Sequence, residues 1–288
     1  MKEDGVRVAA TLDDRASYLN AKHVTEMLET PVEIFRMTAD QLLQKVADGS
    51  VDFAVADAAK LGEPLPEELV VSACLKRRPA GEMMVFRTVS ALDDLPVRAH
   101  VGTYRAASAT QMKRWRADVM VDVIAGRTED CLDRFAEGDF DAFILPEADC
   151  LRLALKGIMR HEVLPGPVFT GPAGAGITLI VGREGMCLPR IFGTLHDEDT
   201  YRAYLAEMAF CRAVGDADAL YSVYAWQGEA ALQIMAQVSD AAGRFHYDCS
   251  VSGPKPGEAG RRLYERLLKM GAGKHVFWPV RSDGKDNV

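Results

Sequence analysis

The chain has 288 residues, enough for two or three domains, and 48% hydrophobic with 26% charged residues is the make-up of a protein that buries real cores. A net charge of −8 argues against nucleic acid or an anionic membrane surface as partner, since both are polyanions. No apolar run reaches the roughly 18 to 20 residues that span a bilayer, and the start MKEDGVRVAATL lacks the apolar core of a signal peptide, so a cytoplasmic location is expected.

In chain order, RVAAT (Arg7 to Thr11) reads as a strand, followed by a helix from about Arg15 to Glu29, the strand VEIFRM, a helix near Ala39 to Val46 and the strand of GSVDFAV. About ninety residues further on the same order returns. AHVGT (Ala99 to Thr103) precedes a helix near Ser108 to Arg116, then VMVDVIA, a helix near Glu129 to Ala136, and GDFDAFIL. Short β-rich runs alternating with helices imply parallel strands with crossover helices, hence two duplicated α/β lobes. ITLIVG (Ile177 to Gly182) is a further strand expected to close the second lobe, and Tyr201 to Val214 is a helix with Leu205, Met208, Ala209 and Ala213 along one face. Beyond Gly215 the runs YSVYAW, ALQIMAQVSD and FHYDCSVSG and a helix from about Glu258 to Met270 predict three strands and one helix. The expected domains are a first lobe at 1–98 with about 186–214, a second at 99–185, and a small α+β domain at 215–288 ending in the polar, fraying tail RSDGKDNV.

In α/β sheets ligands sit beyond the carboxyl ends of the strands, which makes a cleft between the lobes the expected site. Its loops would be Leu12 to Arg15, Asp57 to Gly62, Tyr104 to Ala107, Gly126 to Glu129 and Pro146 to Asp149. Six cysteines without C-x-x-C spacing and six scattered histidines offer no zinc or redox pattern, so no metal is expected and the thiols read as reduced and mostly buried. GPAGAG (Gly171 to Gly176) lacks the G-K-[ST] ending of a phosphate loop and reads as a turn. The basic clusters LKRRP and KRWR read as solvated faces.

The stretches NAKHV, GSVDFAV followed by LPEELVVSACLKR, VGT at the start of the second lobe, EGDFDAFIL and RRLYERLLKMGA run in order over nearly the whole chain, and together they resemble the porphobilinogen deaminase (hydroxymethylbilane synthase) family. The resemblance implies two bilobal, periplasmic-binding-protein-like α/β domains plus a small third domain. It also implies a cysteine-linked dipyrromethane cofactor on which four porphobilinogen molecules are polymerised with release of ammonia, a transferase step of tetrapyrrole biosynthesis.

Against the family's patterns this chain departs at the functional positions. The family's "H-S-x-K-D-x-P" is here Ala56 to Gly62, which puts Lys60 in the place of the catalytic aspartate, with Asp57 as the remaining carboxylate candidate. The cofactor-cysteine stretch is here GDADALYS, with Ala217 at the cysteine's position, so no dipyrromethane is expected. The family's "T-R-x-S" becomes Thr11, Leu12, Asp13, Asp14, its "G-T-S-S-L-R-R-Q" becomes a run from Gly102 and Thr103 through Tyr104 and Arg105 to Ala109, and its "L-R-G-N-V-x-T-R" becomes Ile124 to Cys131 with Gly126 and Arg127. Thr11, Asp13, Asp14, Thr103, Tyr104, Arg105, Gly126 and Arg127 are therefore the candidate ligand contacts. Lys60 could instead form a salt bridge with Asp57, Asp13 or Asp14.

Three readings stay open at this level. The chain could bind a different small molecule between its lobes as a monomer, without nucleic acid or membrane. It could be a new enzyme with Lys60 as Schiff-base nucleophile or base and Asp57, Asp13 or Asp14 as proton carriers. It could carry out the family reaction through Asp57 by an atypical arrangement.

Overall fold

The computed structural model describes residues 7–28, 30–61, 65–124, 126–186, 190–217 and 219–278. The chain opens with β1 (Arg7–Leu12), α1 (Arg15–Thr25), β2 (Val32–Met37), α2 (Ala39–Ala47), β3 (Phe53–Asp57), the short α3 (Ala58–Leu61) and β4 (Leu69–Cys74). It continues with β5 (Glu82–Phe86), β6 (His100–Thr103), α4 (Ala106–Trp115), β7 (Met120–Val123), α5 (Thr128–Glu137), β8 (Ala142–Pro146), α6 (Glu147–Arg152) and β9 (Arg160–Val163). Then come β10 (Thr178–Arg183), α7 (Ile191–Leu195), α8 (Glu198–Val214), β11 (Leu220–Gln227), β12 (Leu232–Ser239), β13 (His246–Gly253) and α9 (Pro256–Lys269).

Local chemistry explains the element starts. Asp14 caps α1 by accepting the Ser17 N–H at 2.8 Å, and Thr38 with Gln41 forms a reciprocal capping box on α2. In α9 the buried residues Ala259, Gly260, Leu263 and Leu267 recur at helical spacing and face the core. Gly260 is needed there because a Cβ would stand 2.3 Å from the Ala206 carbonyl oxygen of α8, so only a glycine lets the two helices cross this closely.

Three sheets result, in the orders β2-β1-β3-β10-β4, β7-β6-β8-β5-β9 and β11-β12-β13. The first two are the duplicated lobes. In each, three parallel strands are followed by one antiparallel strand and an edge strand. All five residues of β3 are buried, as a strand covered on both faces requires. The third sheet is an antiparallel meander backed by α9, the small α+β domain read from the sequence. Its core residues Val223, Ile234 and Leu263 are continuous through Phe210 of α8 with Leu42 and Val46 of the first lobe.

ITLIVG does not close the second lobe: β10 inserts between β3 and β4 of the first, and β5 inserts between β8 and β9 of the second. The parallel trio of each lobe leaves the outer edge of its third strand unpaired, and the strand arriving from the other lobe satisfies that hydrogen-bond row in the antiparallel sense. The boundaries expected at 98–99 and 185–186 therefore move back, since β5 already belongs to the second lobe and β10 to the first. The α1 helix also ends at Thr25, and Glu29, where it was expected to end, lies outside the described residues, as does the tail RSDGKDNV.

The two segments that cross between lobes run side by side, with the Arg78 N–H donating to the Gly176 carbonyl at 2.9 Å. Gly176 has φ +71°, and a Cβ on it would lie 2.4 Å from the Arg78 oxygen, which gives the turn read in GPAGAG its physical reason. Gly176→Ala is expected to lower stability by about 1–3 kcal/mol through strain and forced separation of the crossing segments. Urea unfolding checks this, and an unchanged midpoint would refute the role given to that glycine.

Candidate functional site

The strands β3 and β8 occupy equivalent places in the two lobes, and the chain leaves each of them into a short helix at the cleft. From the first junction come Asp57 and Lys60, from the second Asp149 and Arg152. Asp14, at the start of α1, completes a cluster of three carboxylates and two cations. Lys60 Nζ lies 2.9 Å from Asp149 Oδ2, 3.2 Å from Asp14 Oδ1 and 3.7 Å from Asp57 Oδ2. Arg152 reaches Asp57 Oδ1 at 2.7 Å and Asp149 Oδ1 at 3.3 Å. The Ser17 hydroxyl stands 2.7 Å from Asp14 Oδ2 and 3.0 Å from Asp57 Oδ2, while the Thr128 hydroxyl donates to Asp149 Oδ2 at 2.7 Å.

Burial by itself would lower the Lys60 ammonium, but Asp149, Asp57 and Asp14 together outweigh it and hold the group above the ordinary lysine range. By linkage, the stability this lysine contributes is fully present below the unfolded value of about 10.4 and is lost only as pH rises through the higher folded value. Nearby, the half-buried Arg78 guanidinium is pushed down, first by burial and then by repulsion from Arg152, with Asp57 opposing.

A cavity of about 270 Å³ lies against this cluster. All five loops expected to face the cleft contribute to its walls: Asp14, then Asp57 and Lys60, then Tyr104, then Gly126 to Thr128, then Pro146 and Asp149. The remaining wall comes from the crossing segments, through Pro79, Gly81, Pro172 and Ala175.

The individual candidates fare differently. Asp14 joins the Lys60 cluster, but Asp13 is turned outward toward Arg36 at 3.8 Å. Thr11 is fully buried, its hydroxyl donating to the Ser17 carbonyl, and Thr103 is fully buried as well; neither lines the cavity. Tyr104 does line it, while its hydroxyl donates to Glu82 Oε1 at 3.1 Å; burial foremost, and then Glu82, raise that phenol above its ordinary value. Gly126, at φ +149°, and Arg127 form the rim, where Arg127 is half exposed and paired with its own Asp130 at 3.0 Å.

Arg105 does not line this cavity. It is held by the fully buried Glu82 at 2.8 Å and bonded to Ser222 of the third domain at 3.0 Å and to the Thr170 carbonyl. Burial lowers and Glu82 raises its affinity for the proton, with the net direction upward. It borders a second cavity of about 380 Å³, walled by Ala58, Ala59, Cys211 and Tyr221 among others. Ala217 lies beyond the end of α8 and packs on the core of the first lobe and third domain. Cys211 is buried on α8, the helix preceding that loop.

Cys74, Cys131 and Cys150 are likewise buried, Cys249 is half-buried, and Cys187 lies outside the described residues. Burial foremost pushes the Cys74 thiol up to about 12 and that of Cys131 up to about 11. Among the described residues no group of His, Cys, Asp and Glu side chains is placed to hold a metal ion, and no helix is long and apolar enough to cross a membrane.

Arg152, Ser17, Thr128 and Glu82 were not singled out from the sequence. One signal was present: Asp57-Ala-Ala-Lys60 and Asp149-Cys-Leu-Arg152 share an acid-to-cation spacing at equivalent points of the duplication. Nothing local marks Glu82, which reads as one more residue of a β-strand until it is found buried against Arg105.

A family model described as porphobilinogen deaminase, dipyromethane cofactor binding domain, matches residues 21–186. The porphobilinogen deaminase of Listeria welshimeri is 30% identical over 233 residues, covering 80% of this chain and 75% of that protein. The porphobilinogen deaminase of Syntrophomonas wolfei is 26% identical over 283 residues, covering 87% and 91%. Among solved structures, an ancestral cationic amino acid solute binding protein superposes with a TM-score of 0.43 at 16% identity, covering 67% of this chain and 87% of that one. The reduced regulatory domain of OxyR2 from Vibrio vulnificus superposes at 0.40 and 14%, covering 67% and 92%.

Proposed function

The chain belongs to the porphobilinogen deaminase family, and from that premise we propose that it keeps the family's fold, has given up its tetrapyrrole chemistry, and holds a different small ligand between its lobes. The observation that carries this reading is Lys60. It stands at the position of the family's catalytic aspartate, with its ammonium held by three carboxylates. A fixed positive charge there repels the cationic azafulvene-like intermediate that an aspartate would stabilise.

Other positions support the same reading. Ala217 has no sulfur with which to form the thioether of a dipyrromethane cofactor. Arg105 is spent on Glu82 and Arg127 on Asp130, so neither replaces the arginines that would neutralise acetate and propionate groups. The alternative in which Lys60 is a nucleophile needs a neutral amine, and its surroundings favour the ammonium. The alternative in which Asp57 serves as the acid places a proton donor among Ser17, Lys60 and Arg152, all of which are themselves donors.

The test is an intact mass of the purified protein together with a porphobilinogen-consumption assay. The expected result is an unmodified mass and no consumption above a protein-free blank. A mass excess matching dipyrromethane, with turnover, would overturn the reading.

A further inference from the structure

The two acid–cation pairs are crossed. Each lobe brings a carboxylate and a cation to its strand-to-helix junction, and each cation makes its shortest cluster contact with the acid of the other lobe. Lys60 reaches Asp149 at 2.9 Å but its own Asp57 only at 3.7 Å; Arg152 reaches Asp57 at 2.7 Å but its own Asp149 at 3.3 Å. We propose that these reciprocal bridges form an interlobe latch that holds the cleft shut when no ligand is present, so that the protein's own charges do the bridging that a ligand does in a hinged two-lobed receptor.

The latch is built rather than incidental. Arg152, Asp57 and Asp149 are almost completely buried, with side chains 3%, 7% and 2% exposed, and the hydroxyls of Ser17 and Thr128 fix the acids from their own lobes. At the rim Glu129 of the second lobe accepts the Arg15 N–H of the first at 2.8 Å. The lobes are otherwise connected in sequence by the two crossing segments near Arg78 and Gly176, which is the arrangement a hinge requires.

It is also poised to open. The Asp57 Oδ1 contact with Arg152 is short but not aligned as a hydrogen bond, and both that oxygen and Arg152 Nε are buried without a hydrogen-bond partner. Arg78 adds a like charge beside Arg152. Opening would trade cross-lobe attraction for water on these under-satisfied groups, two terms of opposite sign that both bear on the balance between open and closed. A ligand would then either fit the closed cavity of about 270 Å³ or part the bridges on entry. The crossed bridges form whatever ligand the cleft takes.

Small-angle X-ray scattering of the full chain tests it, with far-UV circular dichroism confirming that each variant is folded. The wild type is expected to scatter as the closed arrangement, the double variant Lys60→Met with Arg152→Met to show a larger radius of gyration and maximum dimension, and Lys60→Arg, which keeps a cation, to stay closed. If the double variant does not fold, Lys60→Met alone gives the reading, because that side chain is 29% exposed and its loss leaves the Arg152 bridge in place; a partial shift toward the open profile is expected. An open wild type, folded Met variants that scatter like the wild type, or Lys60→Arg opening as far as Lys60→Met would each overturn the latch.

Discussion

On the proposed function, returning a thiol at the position assigned to the cofactor cysteine is expected to leave porphobilinogen turnover undetectable: Ala217→Cys supplies sulfur, but Lys60 would still stand where the family has its acid. A positioned acid typically contributes about 10²- to 10⁴-fold, so the thiol alone would leave any rate at least that far below a working site, before the missing arginines are counted. Lys60→Asp does not repair this. It puts a fourth carboxylate among Asp14, Asp57 and Asp149 with Arg152 as the remaining cation of the cluster, and uncompensated charge in a partly buried site costs about 3–5 kcal/mol. The expected outcome is a destabilised protein without activity. A measurable rate in Ala217→Cys by itself would show that Lys60 does not occupy the acid's place.

A large stability effect is expected at Arg77→Ala. Glu207 of α8 is fully buried and accepts from Arg77 at 2.7 Å, from the Gly174 N–H at 2.6 Å and from the Ala225 N–H at 2.7 Å. Arg77 also donates to the carbonyls of Ala175 and Ala225 and lies over the Tyr224 ring at 4.4 Å. Together these bonds tie a crossing segment, α8 and β11 into one unit. Truncating the arginine strands a buried carboxylate, at a cost of about 3–5 kcal/mol. In a chain of this size that corresponds to a fall in Tm of roughly 10 °C. Replacing both partners, Arg77→Met with Glu207→Leu, is expected to recover only part of the loss, because no buried charge remains unpaired but the Gly174 and Ala225 N–H groups lose their acceptor. Calorimetry on the two variants decides, and a loss below about 1 kcal/mol for Arg77→Ala would remove the pair from the list of what holds the third domain in place.

What could be read directly from the residues was what depends on neighbours close in the chain. Alternating β-rich runs and helical periodicity are local, and so the duplicated lobes, the three-stranded C-terminal domain and the five cleft loops were legible. The departure of Lys60 and Ala217 from the family's pattern is an expectation from an ordered comparison of letters, and it is the mass and turnover measurements that decide it. The exchange of β5 and β10 between lobes was not legible, because an apolar strand of five or six residues carries no mark of which sheet edge it will pair with. Nor was the fate of the charges. Asp13 and Asp14 are adjacent, yet one faces Arg36 near the surface and the other Lys60 in the cleft; and nothing near Arg105 in the chain announces its pairing with Glu82, which arrives on a strand from another part of the chain. Spacing along the chain brought Asp57 near Lys60 and Asp149 near Arg152, but the approach of two lobes chose the crossed partners, since ion pairing follows distance in space and only the packed tertiary structure sets it.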